Sequence, residues 1–165
     1  MKKFIFVFLS IFLYLSNLSA KDLIPNYSLK ASGGVTDLVL KNENLYVATT
    51  ASSVDIFNVN TKEKINSIKV PKIKDFMKDT IEARIYSIDV LNNNLLILSQ
   101  GENGGRNINI YKDGKLENII EDKDRLFIAY VKFIDENHII YALLSNQVYL
   151  YDIKNKKVVN EVQIS

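Results

Sequence analysis

The sequence predicts an all-β chain of β-propeller type, built of about three four-stranded antiparallel blades of an incomplete ring. Three observations predict it. A seven-residue phrase, Ser53-Val54-Asp55-Ile56-Phe57-Asn58-Val59, returns as Asn107 to Asp113 and again as Gln147 to Ile153. The aligned aromatics Phe57, Tyr111 and Tyr151 lie 54 and 40 residues apart, and periods near 40 with four strands per unit are the spacing of propeller blades. Finally, Leu95-Leu96-Ile97-Leu98 and Ile139 to Leu144 are apolar on both faces. A sheet with one wet face alternates; these strands are pressed between neighbouring sheets. A β-sandwich, the competing all-β architecture, explains neither the period nor the internal similarity.

The chain opens on an export signal. Lys2 and Lys3 precede an apolar run from Phe4 to Leu15, and Ser16-Asn17-Leu18-Ser19-Ala20 follows, which reads as a secretory signal peptide over residues 1–20. The run is about twelve residues, short of the roughly 20 that span a bilayer. Leu18 stands where a small residue is usual, so an uncleaved N-terminal anchor is the alternative to cleavage after Ala20. The expectation is a periplasmic protein with no membrane span after cleavage. There is no cysteine, hence no lipid attachment through one and no disulfide framework. Residues 1–20 carry two lysines and no acid, so the remainder, with 19 basic and 19 acidic residues, is formally neutral. Nucleic-acid binding, which needs a clustered positive surface, has no support.

Residues 21–165 read as a partial propeller with blades over about 32–70, 84–120 and 126–165. In the first, Val35 to Leu40 is followed by the turn Asn42-Glu43-Asn44, then Leu45 to Thr49, the quoted phrase, and Ile65 to Val70. The second has Ile85 to Val90, Asn92-Asn93-Asn94, Leu95 to Leu98, the phrase, Asp113-Gly114-Lys115 and Leu116 to Ile120. The third has Ala129 to Ile134, Asp135-Glu136-Asn137, Ile139 to Leu144, the phrase, Lys154 to Lys157 and Val158 to Ile164. Turn residues fall at the same places each time. Closed propellers have typically four to eight blades, so three imply part of a ring, an interrupted frame, or two chains forming six blades. Such an arc is expected to be marginal alone and to associate through its unpaired edges.

Local chemistry favours a binding module over an enzyme. His138 has no second histidine, cysteine or carboxylate trio at ligand spacing, so it reads as structural rather than metal-binding. Gly101-Glu102-Asn103-Gly104-Gly105-Arg106 lacks the Lys-Ser/Thr ending and following helix of a phosphate loop. It reads as a flexible loop between two strands. No catalytic residue, metal or cofactor is called for. The stretch after Pro71 places Ile73, Phe76, Met77 and Ile81 at helical spacing, which predicts a short amphipathic helix. Glu121 to Arg125 reads as a solvated linker, and Lys62, Lys64, Lys154, Lys156 and Lys157 as solubilising turn residues. In a four-stranded blade, the link from the fourth strand to the next first strand and the loop between the second and third strands emerge on one face. Residues 71–83 and 100–106 are therefore expected side by side. The candidate partner patch is Lys74, Phe76, Met77 and Lys78 with Glu102, Asn103 and Arg106: an apolar centre with a charged rim.

The stretches SGGVTDLVLKNENLYVATTASSVDIFNV, VPKIKDFMKDTIEARIYSIDV, LILSQGENGGRNINIYKDGKLENII and LLSNQVYLYDIKNKKVV resemble the propeller-type accessory proteins of periplasmic nitrate reductase systems, the NapL family. Its most specific parts are PKIKDFMKD and GENGGRN; the family's members carry further blades, and the Trp-Asp signature of WD40 repeats is absent. The resemblance implies an auxiliary role, through protein contact, in maturation or activity of an exported molybdenum-containing nitrate reductase. A generic envelope-assembly scaffold, or a fragment of a propeller enzyme such as a quinoprotein dehydrogenase, are the alternatives.

Overall fold

The computed structural model describes residues 24–164; the export signal read over residues 1–20 lies outside them. The elements are β1 (Val35–Lys41), β2 (Asn44–Thr49), β3 (Ser53–Asn58), β4 (Glu63–Lys69), β5 (Ile73–Lys74), β6 (Thr80–Ile81), β7 (Ile85–Leu91), β8 (Asn94–Gln100), β9 (Arg106–Lys112), β10 (Lys115–Ile120), β11 (Ile128–Phe133), β12 (His138–Leu143), β13 (Gln147–Asp152) and β14 (Lys157–Gln163). β1 to β4, β7 to β10 and β11 to β14 form three antiparallel sheets in meander order, and β5 pairs with β6 alone. The tight turns follow from their residues. Asn42 and Asn92 both take φ 53°, and Asp113 and Gly114 take 50° and 79°, the left-handed region that these residue types enter most readily. An irregularity in the pairing of first and second strands recurs in all three sheets, at Val35/Asp37, Ile85/Ser87 and Ile128/Tyr130. It marks them as copies of one unit.

The sheets stack as blades. β7 packs against β1 on one side and β11 on the other. Successive residues of β8 point to opposite sides, as strand geometry requires. Leu95 and Ile97 join a core with Ala48, Val54, Ile56 and Ile68 of the first blade, whereas Leu96 and Leu98 join a second core with Val131, Ile139, Tyr141 and Tyr151 of the third. Both faces of the central blade are dry, as its composition required. Between the first strands the seams are polar. The Ile88 amide donates to Asp37 Oδ2 at 2.8 Å, the Phe133 amide to Asp89 Oδ2 at 2.9 Å, and Lys132 Nζ reaches the Ile88 carbonyl at 3.1 Å. Each side-chain contact satisfies backbone that a neighbouring strand does not pair.

Two local expectations are corrected. The stretch after Pro71 is a β-hairpin, not a helix: Ile73 pairs with Ile81 and Lys74 with Thr80. Asp75 makes the bend, its Oδ1 accepting from the Met77 and Asp79 amides at 2.9 Å each, while Lys78 enters positive φ at 68°. An aspartate that ties its own side chain to amides two and four residues on competes directly with helix formation. Ile73 is buried in the first core with Ile81 against it, but Phe76 and Met77 point away, whereas a helix would have put all four on one side. Glu121 to Arg125, expected as a plain linker, contains a 3-10 turn at Asp122–Asp124, whose first residue fastens a neighbouring loop.

Candidate partner-binding face

The two elaborated links meet as connectivity required. The backbone amide of Lys74 donates to Glu102 Oε1 at 3.1 Å, across 28 positions of sequence. A shallow cleft runs between them, lined by Ile73, Lys74, Phe76, Ile81, Gly101 and Asn103. At the hairpin tip Phe76 is 93% exposed and Met77 68%. Two large apolar side chains held side by side in water at the tip of a braced hairpin form an exposed apolar spot.

The loop at 101–106 is not the flexible loop its glycines suggest. Glu102–Gly104 form a 3-10 turn, with the Gly101 amide bonded to the Gly105 carbonyl at 2.9 Å. Asp122 packs so closely beneath it that a Cβ on Gly101 would sit 2.2 Å from Asp122 Cβ, and one on Gly105 2.3 Å from the Asp122 carbonyl oxygen. Asp122 Oδ2 accepts from the Glu102 amide at 2.5 Å, and the Asp122 amide donates to Asn107 Oδ1 at 2.9 Å. These glycines serve close approach, not mobility.

Of the seven residues expected in the patch, the structure brings six onto one rim and gives one another task. Phe76, Met77, Lys78, Glu102 and Asn103 are exposed. Lys74 is exposed as well, its Nζ donating to Thr80 Oγ1 at 2.5 Å. Arg106 instead bridges blades two and three: its guanidinium lies 3.7 Å from the Tyr86 ring centre, and Nη1 donates to the Ile128 carbonyl at 2.6 Å. A half-buried, stacked and bonded guanidinium holds a seam. His138 is tied to Asp135, with Nδ1 3.0 Å from both carboxylate oxygens. The amides of Asn137 and His138 also donate to Asp135 at 2.7 and 2.9 Å. Chiefly the Asn137 amide, then the His138 ring, hold the Asp135 carboxyl below its usual range. Among the described residues no group of three His, Cys, Asp or Glu side chains is placed to hold a metal ion, and no helix is long and apolar enough to cross a membrane.

Sequence reasoning missed one polar centre, Asp55, inside the repeated phrase. Its side chain has no exposure and accepts from Ser32 N at 2.6 Å, Ser32 Oγ at 2.9 Å, Ser67 Oγ at 2.8 Å and Lys64 Nζ at 2.8 Å. Burial alone pushes the carboxyl up; Lys64 and the serine donors together outweigh it and leave it below its usual range. Lys64, expected as a solubilising turn residue, is therefore structural. The signal was in the alignment of the blades. Asp55, Asn109 and Tyr149 share one position and pair with Ser67, Asn118 and Glu161 on the fourth strand, and all three pairs are hydrogen-bonded.

No family model matches the chain, and no curated protein does. Among solved structures it is similar to the WD40 β-propeller domain of Doa1, with 13% identity and a TM-score of 0.65 over 90% of this chain and 46% of that one. The chain is an arc of a β-propeller. It spans about half the length of that neighbour, and the arc is not closed: β1 to β4 and β11 to β14 each have one blade beside them, and only β7 to β10 has two. At this identity the likeness carries the fold alone.

Proposed function

We propose that the chain is a protein-binding propeller module, exported to the periplasm, whose contact face is the hairpin tip and the adjoining glycine loop. The observation that carries this is Phe76 and Met77, presented to solvent by a hairpin whose other apolar residues, Ile73 and Ile81, pack into the seam between blades. A hairpin braced in this way offers its tip at low entropic cost to binding. Lys74, Lys78, Glu102 and Asn103 supply a mixed polar rim around an apolar centre. The resemblance of PKIKDFMKD and GENGGRN to nitrate reductase accessory propellers names the partner class: an exported molybdenum-containing nitrate reductase or a protein that assembles it.

The test is biolayer interferometry of the mature chain against the purified periplasmic nitrate reductase of the same organism. Phe76→Ala is expected to weaken binding about tenfold or more, Met77→Ala less, as for a central anchor and its neighbour. Lys156→Ala, in a turn on the opposite face, should leave it unchanged. Equal binding by all variants removes the patch. No binding by the wild type removes the reductase as partner and leaves the envelope-assembly reading, tested by the same variants against assembly factors.

A further inference from the structure

Asn103-Gly104, in the glycine loop, is the sole Asn-Gly pair in the sequence, and before a glycine an asparagine side chain meets the following backbone nitrogen with least hindrance. Elsewhere asparagine side chains are tied down: the oxygens of Asn58, Asn66, Asn107 and Asn160 each accept from a backbone amide at 2.8 to 2.9 Å. The Asn103 side chain is exposed, borders the cleft beside the hairpin, and has no such partner among the described residues. Its backbone stands at φ 53° and ψ 28°. For the Gly104 nitrogen to reach Asn103 Cγ, the peptide between the two residues must turn over, and the loop has room for that here. Gly101 and Gly105 are pinned to Asp122, but a Cβ on Gly104 would meet only Phe127 Cε1, at 3.8 Å. Gly104 sits at φ 81° and crosses to negative φ without a steric barrier.

We propose that Asn103 is a site of spontaneous deamidation that releases the hairpin from the loop. Hydroxide removes the proton of the Gly104 backbone nitrogen, which attacks Asn103 Cγ. The bond from Cγ to the side-chain nitrogen breaks, that nitrogen takes a proton from water and leaves as ammonia, and a five-membered succinimide remains. Water opens the ring at either carbonyl, to aspartate or to isoaspartate. Nothing is oxidised or reduced, and water is the one co-reactant. In isoaspartate the chain runs through Cγ, which adds a carbon to a loop whose ends are closed by the Gly101–Gly105 bond at 2.9 Å. The strain falls on the adjoining Glu102, which is held by Asp122 through its amide and holds the Lys74 amide through its carboxylate. The Lys74 bond spans two separate links, so it is the one that parts. The conversion runs one way and therefore marks the time since folding. Neither step depends on which partner the face binds.

The experiment holds the mature chain folded at neutral and at mildly alkaline pH while peptide mapping by mass spectrometry follows every asparagine. Asn103 is expected to convert to both acids ahead of all others, at a rate that rises in proportion to hydroxide. Asn103→Gln, which would have to close a six-membered ring, should stay unconverted. In the isoaspartate fraction the Lys74 amide should exchange its hydrogen about tenfold faster, the scale of one lost hydrogen bond, with the Leu96 and Ile97 amides unchanged. Asn103 intact while other asparagines convert, or converted only in urea, overturns the site. Conversion that leaves Lys74 protection unchanged overturns the release.

Discussion

Leu95→Ala and Leu96→Ala are each expected to destabilise the protein by about 3 kcal/mol, the ordinary cost of emptying a buried leucine site. The two residues are adjacent in β8, so their side chains leave the sheet on opposite sides. Leu95 is 2% exposed in the core shared with blade one, and Leu96 is fully buried in the core shared with blade three. In a two-layered sandwich one of the pair faces water, and its truncation stays within about 0.5 kcal/mol. Two equally large losses from neighbouring positions distinguish a blade stacked on both sides. Urea titration reads this as a lowered midpoint at a little-changed slope for both variants. A loss confined to one of them contradicts the stacking.

Asp55→Ala should cost about 3 kcal/mol, at the low end for breaking a buried ion pair. The variant strands donors at Ser32 and Ser67, but Lys64, whose side chain is 33% exposed, can turn to water. The pH dependence follows from the sign of the shift. The Asp55 carboxyl lies below its ordinary 3.8 in the folded protein. Its contribution is therefore complete above that value and is lost as pH falls through the lower, folded value. Wild-type and Asp55→Ala stabilities should lie furthest apart near neutrality and converge in acid below pH 3.8. Asp55→Asn keeps an acceptor oxygen but not the charge, and should fall between them. A separation that persists unchanged into acid would mean that the ionised carboxylate contributes nothing.

The strands and their grouping were legible because a blade repeats its own pattern. Phe57, Tyr111 and Tyr151 set the register, and the doubly apolar run at Leu95 to Leu98 revealed two dry faces. The meeting of residues 74 and 102 also followed from topology alone, since strand order decides on which rim each link emerges. What failed was local. Ile73, Phe76, Met77 and Ile81 satisfy a helical period and a hairpin of two short strands joined through residues 75–79 equally well, and the deciding fact is Asp75 turning its carboxylate back onto the Met77 and Asp79 amides. Arg106 looked like a rim charge because its partners, Tyr86 and the Ile128 carbonyl, are distant in sequence and come together only through the seam. Lys64 was misread for a related reason. A shift in pairing between Ile56 and Phe57 sets it opposite Phe57, where its amine reaches Asp55, and that irregularity leaves no mark in composition.

The radial order of the blades is the central claim, and the absence of cysteine allows a clean measurement of it. First-to-second-strand turns of neighbouring blades meet: Asn92 Nδ2 donates to Glu136 Oε1 at 2.6 Å, and Asn42 lines the same depression, with Lys112 and Asp113 of blade two at its edge. In blade three the strand order β11-β12-β13-β14 sets the turn holding Lys156 two strands away from the turn holding Glu136. A short bismaleimide should therefore join Asn92→Cys to Glu136→Cys within one molecule, quickly and at dilute concentration. The pair Asn92→Cys with Lys156→Cys should remain largely unjoined. Equal joining of both pairs, or faster joining of the second, would contradict a propeller arc.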